Sequence, residues 1–444
     1  MYTPNCTPNR PFPLKPLVAA VLLVCASGIH SAPILHHSTG KEVTVAPPVD
    51  LPVGKVTTVT QHVDRTVVDW KEFSIAEGEL VKFMQLDANS VILNRVVGGD
   101  PSQILGELQA NGRVFLINPN GIVFGAKSQV NVGGLVASTL SLKPGFQGND
   151  DMLELQAETT SGEIKNLGSI HAKDIVFLAP VINNTGSLNA SAAVNLIAAS
   201  EVTANLGGAD MVFTVKAGHE NALIDQLGSV LAAGGKIVLL ATASSNGADS
   251  VINTAGINQA FRISIQGDTV QLTGTFNASN SENALQVNAR KINQNAALTV
   301  AGSSQMIADE VTLGHAGNDF TGQVSLNVNG AAELKDLNSL SVSGKADGLV
   351  LNAADIIQTG AVDVQNTTTL TANTVALNNA GNDFKGQVNL AISGNTNLRD
   401  ANTLTVAGTS ATANLNAADI AVNGLTTTGN LNIAATNTAA LNNV

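Results

Sequence analysis

Residues 167–200, LGSIHAKDIVFLAPVINNTGSLNASAAVNLIAAS, match themselves at a shift of 18, and this self-similarity restricts the possible folds more than any other feature of the chain. Gly168 aligns with Gly186, Ile170 with Leu188, Ala172 with Ala190, Val176 with Val194 and Leu178 with Leu196. Apolar residues two apart mark the inward face of short strands, while Gly and Asn mark the corners between them. The cassette recurs as LGSVLAAGGKIVLLATASSNGADSVINTAG, where Val251-Ile252-Asn253 echoes Val181-Ile182-Asn183. Repeats of this length with period-2 patterning predict a parallel β-helix, one repeat per coil, in which each coil stacks on the last at ~4.8 Å.

A second, longer period follows. AGNDFTGQVSL at Ala316 returns as AGNDFKGQVNL at Ala380, a shift of 64, and residues 316–356 and 380–420 are identical at 22 of 41 positions. Leu334/Leu398, Asp336/Asp400 and Asn352/Asn416 are among the shared pairs. The final Leu441-Asn442-Asn443 repeats Leu377-Asn378-Asn379, so the expectation is a tandem array that stops where a third copy would begin, a truncated chain or a fragment of a longer fibre. A leucine-rich repeat is excluded because its Leu-x-x-Leu-x-Leu consensus is absent, and a β-propeller is disfavoured by a single Trp, a single Tyr and coils too short for a four-stranded blade.

The composition agrees with this. The chain is 44% hydrophobic but only 13% charged, too apolar for disorder and without the Leu-Glu-Lys periodicity of helical proteins. Its 444 residues exceed one ordinary core, which a solenoid avoids because each unit packs only on its neighbours. Roughly 20 coils and a rod on the order of 100 Å are expected.

The first 32 residues read as a secretory signal peptide: Arg10 and Lys15, the apolar run LVAAVLLVCA from Leu17 to Ala26, then small residues before Pro33. Both cysteines, Cys6 and Cys25, lie in this segment, so the mature chain is expected to have no thiol. The segment carries two cations and no acid, so its removal takes the formal charge from −12 to −14. Such a chain has no electrostatic footprint for nucleic acid and no basic amphipathic face for anionic lipid.

One short stretch asks for more than architecture. In LINPNGIVFG, residues 116–125, Pro119 fixes φ while Asn120 and Gly121 tolerate positive φ, so the backbone must turn a corner between two strands. Around it run Asp69-Trp70, Phe73-Ser74-Ile75, Leu93-Asn94-Arg95-Val96, Pro101-Ser102-Gln103-Ile104, Asn111-Gly112, Asn118-Pro119-Asn120-Gly121-Ile122 and Gly133-Gly134-Leu135. In that order these motifs closely resemble the N-terminal secretion domain of two-partner secretion exoproteins, the filamentous haemagglutinin-like family of Gram-negative bacteria. The family's other tetrapeptide, Asn-Pro-Asn-Leu, is absent; its place near Leu86-Asp87-Ala88-Asn89 is occupied as in the subgroup that has a Leu-Asn-Arg-Val segment.

The resemblance implies an all-β, right-handed parallel β-helix with residues 1–32 as signal peptide, 33–285 as the secretion domain and 286–444 as β-helical tandem repeats. It implies Sec-dependent export, then recognition in the periplasm by an outer-membrane transporter carrying polypeptide-transport-associated domains. The expected recognition residues are Asn118, Pro119, Asn120, Gly121 and Ile122, with Asn94 and Arg95. The product would be a secreted adhesin with host-cell or bacterial surface receptors as further partners. A cytolysin, the stem of a contact-dependent growth inhibitor and a haem- or host-protein-binding exoprotein are the alternatives.

Catalytic chemistry is thin in this sequence. His36-His37, His62, His171, His219 and His315 are scattered without metal-ligand spacing, and the Asp150-Asp151 pair sits in a Gly-Asn-rich loop. Neither a nucleophile elbow nor a phosphate-binding or dinucleotide-binding loop occurs. The expectation is a non-enzyme without metal or cofactor.

Overall fold

The computed structural model describes residues 32–38, 42–52, 54–144, 151–158, 161–206, 211–245, 248–280, 282 and 284–442. The expected signal peptide, with Cys6 and Cys25, lies outside the described residues except for Ala32, as do Asp150 and Asn443. Among the described residues all 44 named elements are strands. Most of them wind into a parallel β-solenoid of about 19 turns, roughly 90 Å long at 4.8 Å per turn.

Each turn contributes to three faces. One begins with Arg65–Glu72, Val91–Val96, Arg113–Ile117 and Gly134–Ser138, paired in parallel. A second begins with Ser102–Ile104, Ile122–Phe124 and Ile164–Asn166. The third begins with Gly54–Gln61, Glu79–Met84, Glu107–Ala110 and Gln129–Asn131. The first turn is closed by antiparallel strands: Ile34–Ser38 lies on Arg65–Glu72, and Val43–Val45 and Val49–Leu51 lie on Gly54–Gln61. This arrangement covers the hydrogen-bonding edge that a parallel stack would otherwise expose.

Inward side chains stack in columns. Phe177, Leu196, Leu239, Ile265, Val287, Met306 and Leu326 occupy successive turns in direct register and are all buried. Each such side chain removed from water contributes about 1.5–3 kcal/mol, so the stack is held by its interior and needs no disulfide.

The 18-residue register holds from Ser169↔Ser187 to Ala172↔Ala190 and then slips by one. Beyond a bulge between Ala172 and Asp174, Val176 stands opposite Asn195 and Leu178 opposite Ile197, so the expected pairs Val176/Val194 and Leu178/Leu196 are corrected. Ile175 and Phe177 point into the solenoid, whereas Val176 and Leu178 point out. An apolar outer face is explained by a four-stranded antiparallel sheet, Ser141–Leu142, Met152–Gln156, Glu201–Asn205 and Val212–Ala217, laid on that side. Phe115, Ile117, Val136, Val176 and Leu178 are buried beneath it with Leu153, Leu155 and Val202 as a second core.

The 64-residue period corresponds to a repeated set of buried polar clasps. Asn318 and Gln294 exchange two amide hydrogen bonds at 2.8 and 2.9 Å, and Asn382 and Gln358 do the same at 2.8 and 3.0 Å. Asp336 accepts the backbone N–H groups of Phe320 and Asn338, and Asp400 those of Phe384 and Asn402. Burial pushes both carboxyls above the ordinary carboxylate value, against the pull of those N–H donors, with Asp319 and Asp383 adding to the rise. A carboxyl whose folded pKa is raised favours folding most when protonated, and that contribution is lost as pH rises from the unfolded value through the folded one. The melting temperature of the wild type, relative to an Asp336→Asn/Asp400→Asn variant, should therefore rise as pH is lowered from 7 towards 4. A relative fall over that interval would contradict the assignment.

Candidate functional site

Arg113–Ile117 and Ile122–Phe124 run on two different faces, and residues 118–121 turn the corner between them. Gly121 N–H closes the turn on Asn118 C=O at 3.1 Å, and Gly121 takes φ of 124°, which favours glycine. Asn118 is fully buried. Its Nδ2 donates to Asp100 C=O and to Ser102 Oγ, both at 3.0 Å, while its Oδ1 accepts from Asn120 N–H at 3.0 Å and Asn120 Nδ2 at 3.1 Å. One side chain thus fixes the turn internally and ties it to the previous coil. The following coil is tied through Gly162 N–H to Pro119 C=O at 2.7 Å and Ile122 N–H to Glu163 C=O at 3.1 Å.

The expected recognition residues divide by depth. Asn118 and Ile122 are interior, Pro119 is half-buried and Asn120 is exposed, its Nδ2 also donating to Gly98 C=O at 2.9 Å. Asn94 is fully buried: it accepts Trp70 Nε1–H at 2.9 Å and donates to Phe115 C=O at 3.1 Å. Asn94 therefore offers no surface and anchors Trp70, which packs edge-on against Phe73 at 5.3 Å. Arg95, the next residue, points the other way and grips Asp69 with two hydrogen bonds of 2.8 Å. That pairing raises the Arg95 pKa against the lowering effect of its burial and keeps the guanidinium charged.

Arg95, Pro119 and Asn120 come together along one concave surface of about 300 Å³, with Ser141, Leu142 and Glu158 on its far side. Ser141 Oγ and Glu158 Oε1 hydrogen-bond to each other across that wall. The groove thus joins the solenoid corner to the start of the outer sheet and carries both a cation and a carboxylate. Its chemistry suits an extended polar chain. The far wall was not readable in the sequence, because nothing near Ser141 or Glu158 marks them as neighbours of a turn more than 20 residues away. Neither was the Gln61–Gln85–Asn111 amide network, in which Gln85 Nε2 donates to Gln61 Oε1 at 2.9 Å, the Gln85 backbone N–H donates to Asn111 Oδ1 and its C=O accepts from Asn111 Nδ2, both at 2.8 Å.

His62, His171, His219 and His315 remain apart, and no group of three or more His, Cys, Asp or Glu able to hold a metal occurs among the described residues. Likewise, among the described residues no helix is long and apolar enough to cross a membrane.

A family model described as the TPS secretion domain matches residues 39–287, more than half of the chain. A second, described as repeats of unknown function (DUF5649), matches residues 267–327 and 325–391. The chain is 33% identical over 183 residues to a heme/hemopexin-binding protein of Haemophilus influenzae (strain ATCC 51907 / DSM 11121 / KW20 / Rd), covering 39% of this chain and 20% of that protein. A second heme/hemopexin-binding protein of Haemophilus influenzae is 45% identical over 86 residues, 19% of this chain and 9% of the relative. The chain therefore spans a fifth or less of the length of these curated relatives. Among solved structures, the secretion domain of HMW1 from Haemophilus influenzae aligns at a TM-score of 0.41 and 18% identity, covering 93% of this chain and 99% of that one. The filamentous hemagglutinin secretion domain aligns at 0.29 and 12%, covering 91% and 100%. With its parallel solenoid, its Asn-Pro-Asn-Gly-Ile corner and this match over more than half its length, the chain belongs to the TPS secretion domain family.

Proposed function

We propose that this chain is a filamentous haemagglutinin-like exoprotein, an adhesin, whose outer-membrane transporter reads the corner at residues 118–122 together with Arg95. Proteins of this family leave the cell through an outer-membrane transporter partner. The finer reading has Sec export directed by residues 1–32, recognition by the transporter's periplasmic domains within residues 33–285, and residues 286–444 as the shaft. The observation that carries it is the meeting of Arg95, Pro119 and Asn120 on one groove, two motifs brought together by the fold.

Physically, the turn holds two strands in register early, and before the neighbouring coils stack on both of their edges those extended edges are open to capture by strand addition. Coils then fold one on another outside the cell, each burying its apolar face on the last, which biases export outward without nucleotide hydrolysis. The reading involves no enzymatic step, metal or cofactor.

An Arg95→Ala/Asn120→Ala variant tests the groove. Both side chains are partly exposed, so truncation should lower the melting temperature only slightly, the exposed Asn120 contacts and the Arg95–Asp69 pair being worth about 1 kcal/mol each. Secretion into the medium, measured by fractionation with the cognate transporter co-expressed, should fall severalfold. Wild-type secretion of this variant would remove the groove from the recognition surface. Relatedness to two heme/hemopexin-binding proteins supports a second reading in which the exported chain binds haem or a host haem carrier. A hemin titration followed by absorbance separates the two: a saturable Soret shift favours the second.

A further inference from the structure

The outer antiparallel sheet stops one strand short of the surface available to it. Val212–Ala217 pairs with Glu201–Asn205 on one side, and no strand among the described residues pairs with its other edge. Its side chains alternate: Phe213 and Val215 turn towards the second core, while Val212, Thr214 and Lys216 are exposed. Such an edge, six residues long and free of proline, is a template for one more strand.

Beside it lies a cavity of about 370 Å³ between Phe213 and Met211 on the sheet and Phe261 on the solenoid, floored by Ala192, Ala193 and Gly235. The floor is low for a packing reason: a Cβ on Gly235 would stand 1.5 Å from Ala192 C=O, so no side chain can rise there. Its size falls within the range of about 300–1,000 Å³ usual for ligand sites. Phe261 is 46% exposed at its rim.

The rim is cationic. Lys236 and Arg262 stand directly opposite each other on adjacent coils, a placement of like charges that is unfavourable without an anion between them. Neither they nor Lys216 join an ion pair among the described residues, in a chain of formal charge −12. Asp174, the one carboxylate on the cavity among the described residues, is separated from Lys236 in the register by Ala193 and has an interaction of its own.

From the open edge, the unfilled layer and the paired cations together, we propose that Val212–Ala217 accepts an extended acidic peptide as a fifth strand of the outer sheet. Main-chain hydrogen bonds to the edge supply the ladder. Alternate apolar side chains of the peptide enter the cavity over Phe213 and Phe261, and its carboxylates meet Lys236 and Arg262. A second copy of this chain is the wrong occupant, because self-pairing of the edge would bring two copies of the cationic Lys216, Lys236 and Arg262 group together at one interface. This site lies apart from the 118–122 corner and does not depend on the transporter reading.

The test is a fluorescence anisotropy titration of the folded, secreted chain with a fluorescein-labelled Thr-Val-Glu-Val-Thr-Glu-Thr peptide. Saturable one-to-one binding is expected, with Thr-Val-Lys-Val-Thr-Lys-Thr at least tenfold weaker and a Lys236→Glu/Arg262→Glu variant reversing that preference. Both replaced side chains are exposed, so the variant should keep its circular dichroism spectrum and melting temperature. N-methylation of either alternate set of amides in the acidic peptide should weaken whichever set forms the ladder at least tenfold. Equal binding of the acidic and basic peptides, an unchanged preference in the variant, or indifference to both methylated sets would overturn the proposal. Reversible dimerisation that the acidic peptide displaces would also overturn it, by making a second copy the occupant.

Discussion

Replacing Asn118 with Ile should reduce the protein reaching the medium by an order of magnitude or more while leaving entry into the periplasm intact, since residues 1–32 are untouched. The side chain is fully buried, and its four hydrogen bonds reach Asp100, Ser102 and Asn120. An isoleucine leaves the Asp100 carbonyl, the Ser102 hydroxyl and the Asn120 N–H without those partners. The buried Ser102 hydroxyl left without its partner costs about 1–3 kcal/mol, and with the ties to Asp100 and Asn120 also gone the corner should lose its fixed shape. Fractionation should find the variant accumulating or being degraded in the periplasm. Asn378→Ile is the control: the same substitution at an exposed corner of the distal repeats, expected to be secreted normally. If the Asn118 variant were secreted at the wild-type level, the turn would be ordinary architecture, and recognition would have to lie elsewhere between Pro33 and the 280s. Comparison with Arg95→Ala/Asn120→Ala then separates shape from contact. A defect in both variants makes the groove the surface that is read, and a defect in Asn118→Ile alone makes the corner a folding element.

The two periodicities made the solenoid legible because a coil's inward face needs an apolar residue at every second position, a demand that each stacked copy repeats. Val181 and Val251 do occupy one column, with Leu223 between them. The limits of legibility are equally physical. Ile175 to Ala179 is apolar on both faces, so pattern alone could not locate the one-residue bulge before it that turns Val176 outward. Asn118 and Asn94 are both Asn beside apolar strands, and the sequence offers no signal that both are internal while Arg95 and Asn120 face outward. A side chain's depth depends on which coil lies above it, and the register that decides this is set far away in sequence. The Gly-Asn corners were visible, but the contacts that require glycine at them were not.

The largest structural effect is expected at those glycines. Gly168, Gly186, Gly228, Gly256 and Gly274 occupy one corner on successive coils, and insertions between them leave the column unbroken. Each carbonyl from Gly168 to Gly256 accepts the N–H of the residue after the next glycine, as in Ser229 N–H to Gly186 at 2.9 Å and Ile257 N–H to Gly228 at 3.1 Å. That bond holds the carbonyl where a Cβ on the next glycine would stand: 2.1 Å from a Cβ on Gly228 and 1.7 Å from one on Gly256. The obstruction is backbone, so no rotamer relieves it, and Gly256→Val must either break the hydrogen bond or part the coils. Either way the cost is of the exceptional kind, about 4 kcal/mol or more. Because a solenoid is stabilised by nearest-neighbour interfaces, the damage should divide it rather than melt it uniformly. The variant should show two thermal transitions and a new protease-sensitive point near residue 256, with the N-terminal coils protected as before. Gly99→Ala is the comparison: a Cβ there meets nothing within 4 Å and the backbone is not in the left-handed region, so no change is expected. A single transition at the wild-type temperature for Gly256→Val would mean that the coils yield at this corner, and that the glycine column does not set their spacing.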